Sequence, residues 1–127
     1  MAVTGTPREM GLQLLREGSF DESIDFLLQA IAQTPSDVDV HLYLALAYAR
    51  HGEAEKSVEV LEQATVLAPQ SAKVHYNLGV AYHMVGNPTQ AKDSYLRASN
   101  LDPNYAPAKS ALEKLGGTST GGASEPA

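Results

Sequence analysis

No cysteine occurs in this chain of 127 residues, which excludes a disulfide framework and a thiolate zinc site and is compatible with a reducing compartment. Basic residues are scarce: 9 Lys and Arg stand against 15 Asp and Glu, a net charge of −6. A chain so charged is repelled by phosphate backbones and anionic lipid, so nucleic acid and membranes are not expected as partners. No apolar run reaches the length of a membrane span. The opening MAVTGTPREMG lacks a basic region followed by an apolar stretch, which argues against a secretory signal and for a cytoplasmic protein. Neither a phosphate-cradling glycine loop nor a nucleophile on a recognisable elbow is present, so no catalytic residue and no cofactor are expected and the chain reads as a non-enzyme.

The glycines that are present follow a strict step. Gly18, Gly52 and Gly86 are each 34 residues apart, and Pro35, Pro69 and Pro103 keep the same interval. Ala30, Ala64 and Ala98 recur with them, as do the large apolar Met10, Leu44 and Leu78 and the small Gly11, Ala45 and Gly79. Agreement at several residue types together implies one helix-turn-helix unit written three times, hence an all-α repeat fold, with one core running from about Thr4 to Leu115.

Local signals divide the repeats into helices. Thr6 as cap, Pro7 in the first turn and Glu9 closing a capping box predict a helix over 7–17, stopped by Gly18. Ser19 and Glu22 repeat the capping-box spacing ahead of Ile24, Leu27, Leu28 and Ile31, and that helix ends before Pro35. A cap at Ser36 or Asp37 opens the next helix, with Val40, Leu44, Ala47 and Tyr48 on its apolar face. Its partner carries Val58, Leu61, Ala64 and Thr65 and stops before Pro69. Ser71 caps a helix through Val85, then Asn87, Pro88 and Gln90 supply a cap, a first-turn proline and a capping-box glutamine for the sixth. A seventh helix fits 106–115, its polar remainder shielding the last repeat. The Gly/Ser/Thr-rich tail 116–127 has no large apolar residue and is expected to be disordered.

Helix pairs approach to roughly 8–10 Å where one side chain is small. Gly11, Ala45 and Gly79 serve this on the first helices; Ser23, Ser57 and Ala91, with the alanine series, serve it on the second. Leu27, Leu61 and Tyr95 fill the space between.

The run AKVHYNLGVAYHMVGNPTQAKDSYLRASNLDPNY, 72–105, with its NLG, AY, G, A, A and LDP, resembles the tetratricopeptide repeat (TPR), a family of 34-residue helix pairs. The second repeat, 38–71, is close; the first, 4–37, departs most, with Pro7 where the family commonly has a large aromatic residue. The resemblance implies a right-handed α-solenoid of three TPR units with a seventh capping helix, its first helices lining a concave face. First-helix residues outside the packing series then form a stripe: Arg8, Leu12, Leu15 and Arg16; Leu42, Tyr43, Leu46 and Arg50; Lys73, Tyr76, Asn77, Val80, His83 and Met84. It is apolar with basic residues along it, whereas much of the acid lies on second helices. That pattern marks a binding groove for a short segment of another protein, with acidic flanks or a free C-terminus drawn by Arg8, Arg50 and Lys73. Some TPR proteins grip chaperone tails with two lysines, two asparagines and an arginine. The matching places here hold Arg8, Leu12, Tyr43, Lys73 and Asn77, of which only Lys73 keeps its type, so that mode is not expected.

Four histidines invite a metal reading. His41 and His75 sit in equivalent places of adjacent repeats, about one helix-packing distance apart, too far for shared ligation. Packing is their expected role, a helix C-terminus suits His51, and no metal is expected. The resulting expectation is a non-enzymatic adaptor. Two alternatives are a bacterial secretion-type TPR chaperone for an aggregation-prone partner and a homo-oligomer assembled through solenoid ends, to which Phe26 and Leu28 would contribute.

Overall fold

In a computed structural model, which describes residues 5–116, every described element is a helix: α1 (Pro7–Glu17), α2 (Phe20–Gln33), α3 (Val38–Arg50), α4 (Ala54–Leu67), α5 (Ala72–Met84), α6 (Pro88–Leu101) and α7 (Ala106–Leu115). Apart from Gly116, the tail expected to be disordered lies outside the described residues. The chain divides into two compact units between Ala68 and Pro69. In the N-terminal unit α1 pairs with α2, α3 with α4, and α2 and α1 both touch α3; in the C-terminal unit α6 packs against both α5 and α7.

Each first helix is followed by the same backbone turn. Gly18, Gly52 and Gly86 hold φ of 85°, 85° and 83°, the left-handed conformation that costs other L-residues about 1–2 kcal/mol. It lets the amides of Ser19, Glu53 and Asn87 reach back to the carbonyls of Leu14, Tyr48 and Tyr82 at 2.9, 2.8 and 2.9 Å, satisfying helix-end acceptors. The prolines act one residue upstream of themselves. Thr34, Ala68 and Asp102 precede them at φ −138°, −137° and −142°, because proline pushes its predecessor out of the helical region.

The starts of the six repeat helices fall into two kinds. Thr6, Asp37 and Ser71 have ψ of 161°, 97° and 111°, and their side chains accept from the third-residue amides of Glu9, Val40 and Val74. The Thr6 box is complete, with the Thr6 amide donating back to Glu9 Oε1 at 2.9 Å. Asp37, rather than Ser36, is the cap of α3. Before the second helices, Ser19, Glu53 and Asn87 have ψ of 73°, 63° and 74° and make no side-chain cap bond. The capping boxes expected at Ser19/Glu22 and Asn87/Gln90 are therefore not formed. The tight glycine turn holds ψ well below the extended values of the capped starts, outside the geometry a side-chain cap needs. The Glu22 amide bonds Asp21 Oδ1 instead.

Packing follows the small-residue series. A Cβ placed on Gly11 would lie 2.6 Å from Leu27 Cδ2, and one on Gly79 would lie 2.6 Å from the Tyr95 ring, so α1 meets α2 and α5 meets α6 at a spacing only glycine permits. The buried Ser23 hydroxyl donates to the Gly11 carbonyl at 2.7 Å, fastening the first pair. Ala30, Ala64 and Ala98 are all buried. On α4 the buried face is Ser57, Val60, Leu61 and Ala64, spaced i, i+3, i+4, i+7. Val58 and Thr65, expected on it, lie one position off and are only half-buried. Leu28, named both in the helical series of α2 and as an extra apolar residue for assembly, is 45% exposed.

Candidate functional site

None of the stripe residues is buried by the folding of the first helices. In the N-terminal unit Leu12, Leu15, Leu42 and Tyr43 are half-buried, while Arg16, Leu46 and Arg50 are exposed. In the C-terminal unit Tyr76, Asn77 and Val80 are half-buried, and Lys73, His83 and Met84 are exposed. The core-facing residues of the same helices, among them Leu14, Leu44 and Leu78, are buried. The stripe is thus what remains of each first helix once its core face is satisfied.

Its charges are not all available. Arg8, at the start of α1, donates from Nε to Asp37 Oδ2 at 2.9 Å and places Nη2 3.7 Å from Asp39 Oδ2. Its guanidinium carbon also stands 5.6 Å from the ring centre of Tyr43. The hydrogen bond to Asp37, with the nearby carboxylates, holds Arg8 above its ordinary pKa against a smaller opposing effect of burial. The local positive charge expected at Arg8 is therefore cancelled by two carboxylates of its own unit. Arg16 and Arg50 occupy equivalent positions in the last turns of α1 and α3, and neither has an ion pair among the described residues. Asn77 donates its side-chain amide to the carbonyl of Lys73 at 2.8 Å, a bond within α5 that occupies one of its donors.

The histidines serve the backbone. His41 and His75 are buried; His41 Nδ1 bonds the Asp37 carbonyl at 2.9 Å and His75 Nε2 bonds the Pro69 carbonyl at 3.0 Å. His51 closes α3 and its Nδ1 donates to Glu53 Oε2 at 2.7 Å. That bond, reinforced by Lys56 Nζ at 3.0 Å from Glu53 Oε1, holds the Glu53 carboxyl below the usual range.

One feature near the stripe escaped the sequence reading. In the C-terminal unit α5, α6 and α7 border a half-open cavity of about 280 Å³, lined by Tyr76, His83, Tyr95 and the α7 face of Pro107, Ser110, Ala111, Lys114 and Leu115. Tyr76 lies between two other rings, 5.7 Å from Tyr95 and 5.7 Å from Tyr105 between centres. Burial pushes the Tyr95 and Tyr105 hydroxyls above their ordinary pKa. The apolar residues of α7 at 107, 111 and 115, spaced four apart, were the available signal for this wall. A second cavity, about 370 Å³, lies on the α2–α4 side of the N-terminal unit among Ile31, Pro35, His41, Gln63, Val66 and Leu67, away from the stripe.

Comparison with known proteins agrees with this architecture. A family profile described as TPR repeat matches residues 11–52 and 50–86, and one described as tetratricopeptide repeat matches 72–105. No curated protein sequence matches the chain. Among solved structures, the first TPR of Spaghetti (RPAP3) bound to HSP90 peptide SRMEEVD is 24% identical with a TM-score of 0.81, over 87% of this chain and 88% of that one. MamA is 30% identical with a TM-score of 0.75 over 83% of this chain, which spans 61% of MamA. The type III secretion translocator chaperone SycD of Yersinia enterocolitica is 13% identical with a TM-score of 0.80, over 87% of this chain and 89% of SycD. Among the described residues no helix is long and apolar enough to cross a membrane.

Proposed function

Because the chain belongs to the tetratricopeptide repeat family, we propose that it is a non-enzymatic interaction adaptor that holds a peptide or helix of a partner protein on the exposed faces of α1 and α3 and of α5. The observation that carries this reading is made in each unit by itself: Leu46, 43% exposed, shares the first-helix faces of the N-terminal unit with half-buried Leu12 and Tyr43, and Met84, 50% exposed, shares α5 with half-buried Tyr76 and Val80. Apolar side chains clustered on helices whose core faces are already satisfied are surface left for another molecule. Arg16, Arg50 and Lys73 add exposed cations that favour a segment with acidic flanks. The RPAP3 domain with its HSP90 peptide and the SycD chaperone support the use of this fold for holding polypeptide. A chaperone-tail clamp is not part of the reading, since Arg8 is engaged by Asp37 and Asp39 and Asn77 by the Lys73 carbonyl.

Affinity capture from native lysate, with wild type and a Leu46→Glu/Val80→Glu variant side by side, tests it. The variant should lose the partners that wild type retains while keeping its far-ultraviolet helicity. Retention of the same partners by a folded variant overturns the reading.

A further inference from the structure

Resting on the interaction reading above and narrowing it, we propose that the cavity between α5, α6 and α7 is an anchor pocket that takes one aliphatic side chain of a partner peptide whose neighbouring residue is acidic. Size sets the first limit. A cavity of about 150 Å³ already accommodates a benzene-sized group, so about 280 Å³ holds one branched side chain but lies below the roughly 300–1,000 Å³ typical of sites for drug-sized ligands. A whole helix does not enter; a single protruding residue does.

The walls set the chemistry. Tyr76 and Tyr95 contribute ring surface from α5 and α6, and Ala111 and Leu115 contribute aliphatic surface from α7. Tyr76 is held between Tyr95 and Tyr105, so the aromatic wall is braced before any ligand arrives. α7 buries only Ala108. Its next apolar face, which a helix serving as a cover alone would turn to solvent with polar residues, instead borders the cavity.

Charge identifies the flank. Besides the tyrosines, three polar side chains stand at the border, His83, Ser110 and Lys114, all exposed and able to donate a hydrogen bond, and no carboxylate borders the cavity among the described residues. Lys114 has no ion pair there, although the chain as a whole carries −6. An unpaired cation beside an apolar hollow complements a carboxylate one residue from the anchoring side chain.

The test uses the full chain and three blocked dipeptides, acetyl-leucyl-glutamate amide, acetyl-leucyl-glutamine amide and acetyl-seryl-glutamate amide, followed by backbone amide shifts. The leucyl-glutamate compound should move α5 and α7 amides saturably. The glutamine compound should bind about two- to fivefold more weakly, the scale of an exposed ion pair, and the seryl compound about tenfold or more, the scale of a lost buried leucine. Ala111→Trp should fill the hollow and abolish the shifts; Lys114→Gln should abolish discrimination between glutamate and glutamine. Unmoved α5 and α7 amides, or discrimination that survives Lys114→Gln, overturns the pocket, and should Ala111→Trp lose helicity the Lys114→Gln arm decides alone. Saturable dipeptide binding together with partner capture indifferent to Leu46→Glu/Val80→Glu would instead overturn the wider reading while leaving the pocket standing.

Discussion

At one and the same place in the repeat, the first repeat, in the N-terminal unit, carries Arg8 and the third, in the C-terminal unit, carries Tyr76, and the two use that place in opposite ways. Arg8 is drawn onto Asp37, Asp39 and the Tyr43 ring, closing its end of the unit with charge that is satisfied internally. Tyr76 stands between two further tyrosines and leaves a hollow beside them, with Lys114 at its edge and in no ion pair among the described residues. Backbone and core are nearly interchangeable between repeats, down to the φ of the turn glycines. The outward positions of the first helices are not, and there the molecule acquires whatever selectivity it has.

The contrast predicts that burial holds one unit's distinctive corner and screened charge the other's. Tyr95→Ala removes a buried ring that fills the space against Gly79 and should cost about 3–5 kcal/mol, read from the denaturant midpoint; a cost below that of Arg8→Ala would erase the distinction. Arg8→Ala breaks a pair whose arginine side chain is 41% exposed and should cost no more than about 1 kcal/mol, with the loss shrinking as salt rises. A salt-independent loss would mean that packing of the arginine stem, not its charge, holds that corner.

The smallest effect is a pH asymmetry readable by residue-resolved hydrogen exchange. Glu53, in the α3–α4 turn, has its pKa held below 4.5 by the bonds from His51 and Lys56, so its ionised form favours the fold. That contribution is present above pH 4.5 and is lost as pH falls below it. Tyr95 and Tyr105 have theirs raised above 10 by burial, so their neutral forms favour the fold, and the contribution present below pH 10 is lost as pH climbs past it. Acid should loosen the amides around the α3–α4 turn first and alkali those around α6. Equal loosening of both regions at both extremes would remove the asymmetry.

How far such features could be read from sequence depends on how local their causes are. The bounds of α1 follow from a capping box, a proline and a glycine within a turn of its ends, and those of α7 from a proline in its first turn and the glycine-rich tail after it; the structure places them at Pro7–Glu17 and Ala106–Leu115, as expected. The close approach at Gly11 and Gly79 was legible because one residue type admits it. Cap chemistry at Ser19 and Asn87 was not, since composition says nothing of the ψ that a glycine turn imposes on the residue after it. The engagement of Arg8 was hidden for a different reason. Asp37 lies 29 residues away, and the pairing exists only because α1 and α3 come side by side in the folded repeat. The α7 wall was missed because small and prolyl residues at Pro107 and Ala111 read as an unremarkable surface until rings from α5 and α6 stand opposite them.

Around Gly18, Gly52 and Gly86 the position where a side chain would begin is open, with nothing within 4 Å. What forbids substitution there is handedness rather than space: an L-residue is strained at φ near +85°, but its mirror image is at ease. Chemical synthesis with D-alanine at Gly52 would therefore keep the bend and restrict the wandering of the unfolded chain, making the three hinges of this protein sites where inverted stereochemistry stiffens a fold that ordinary mutation loosens.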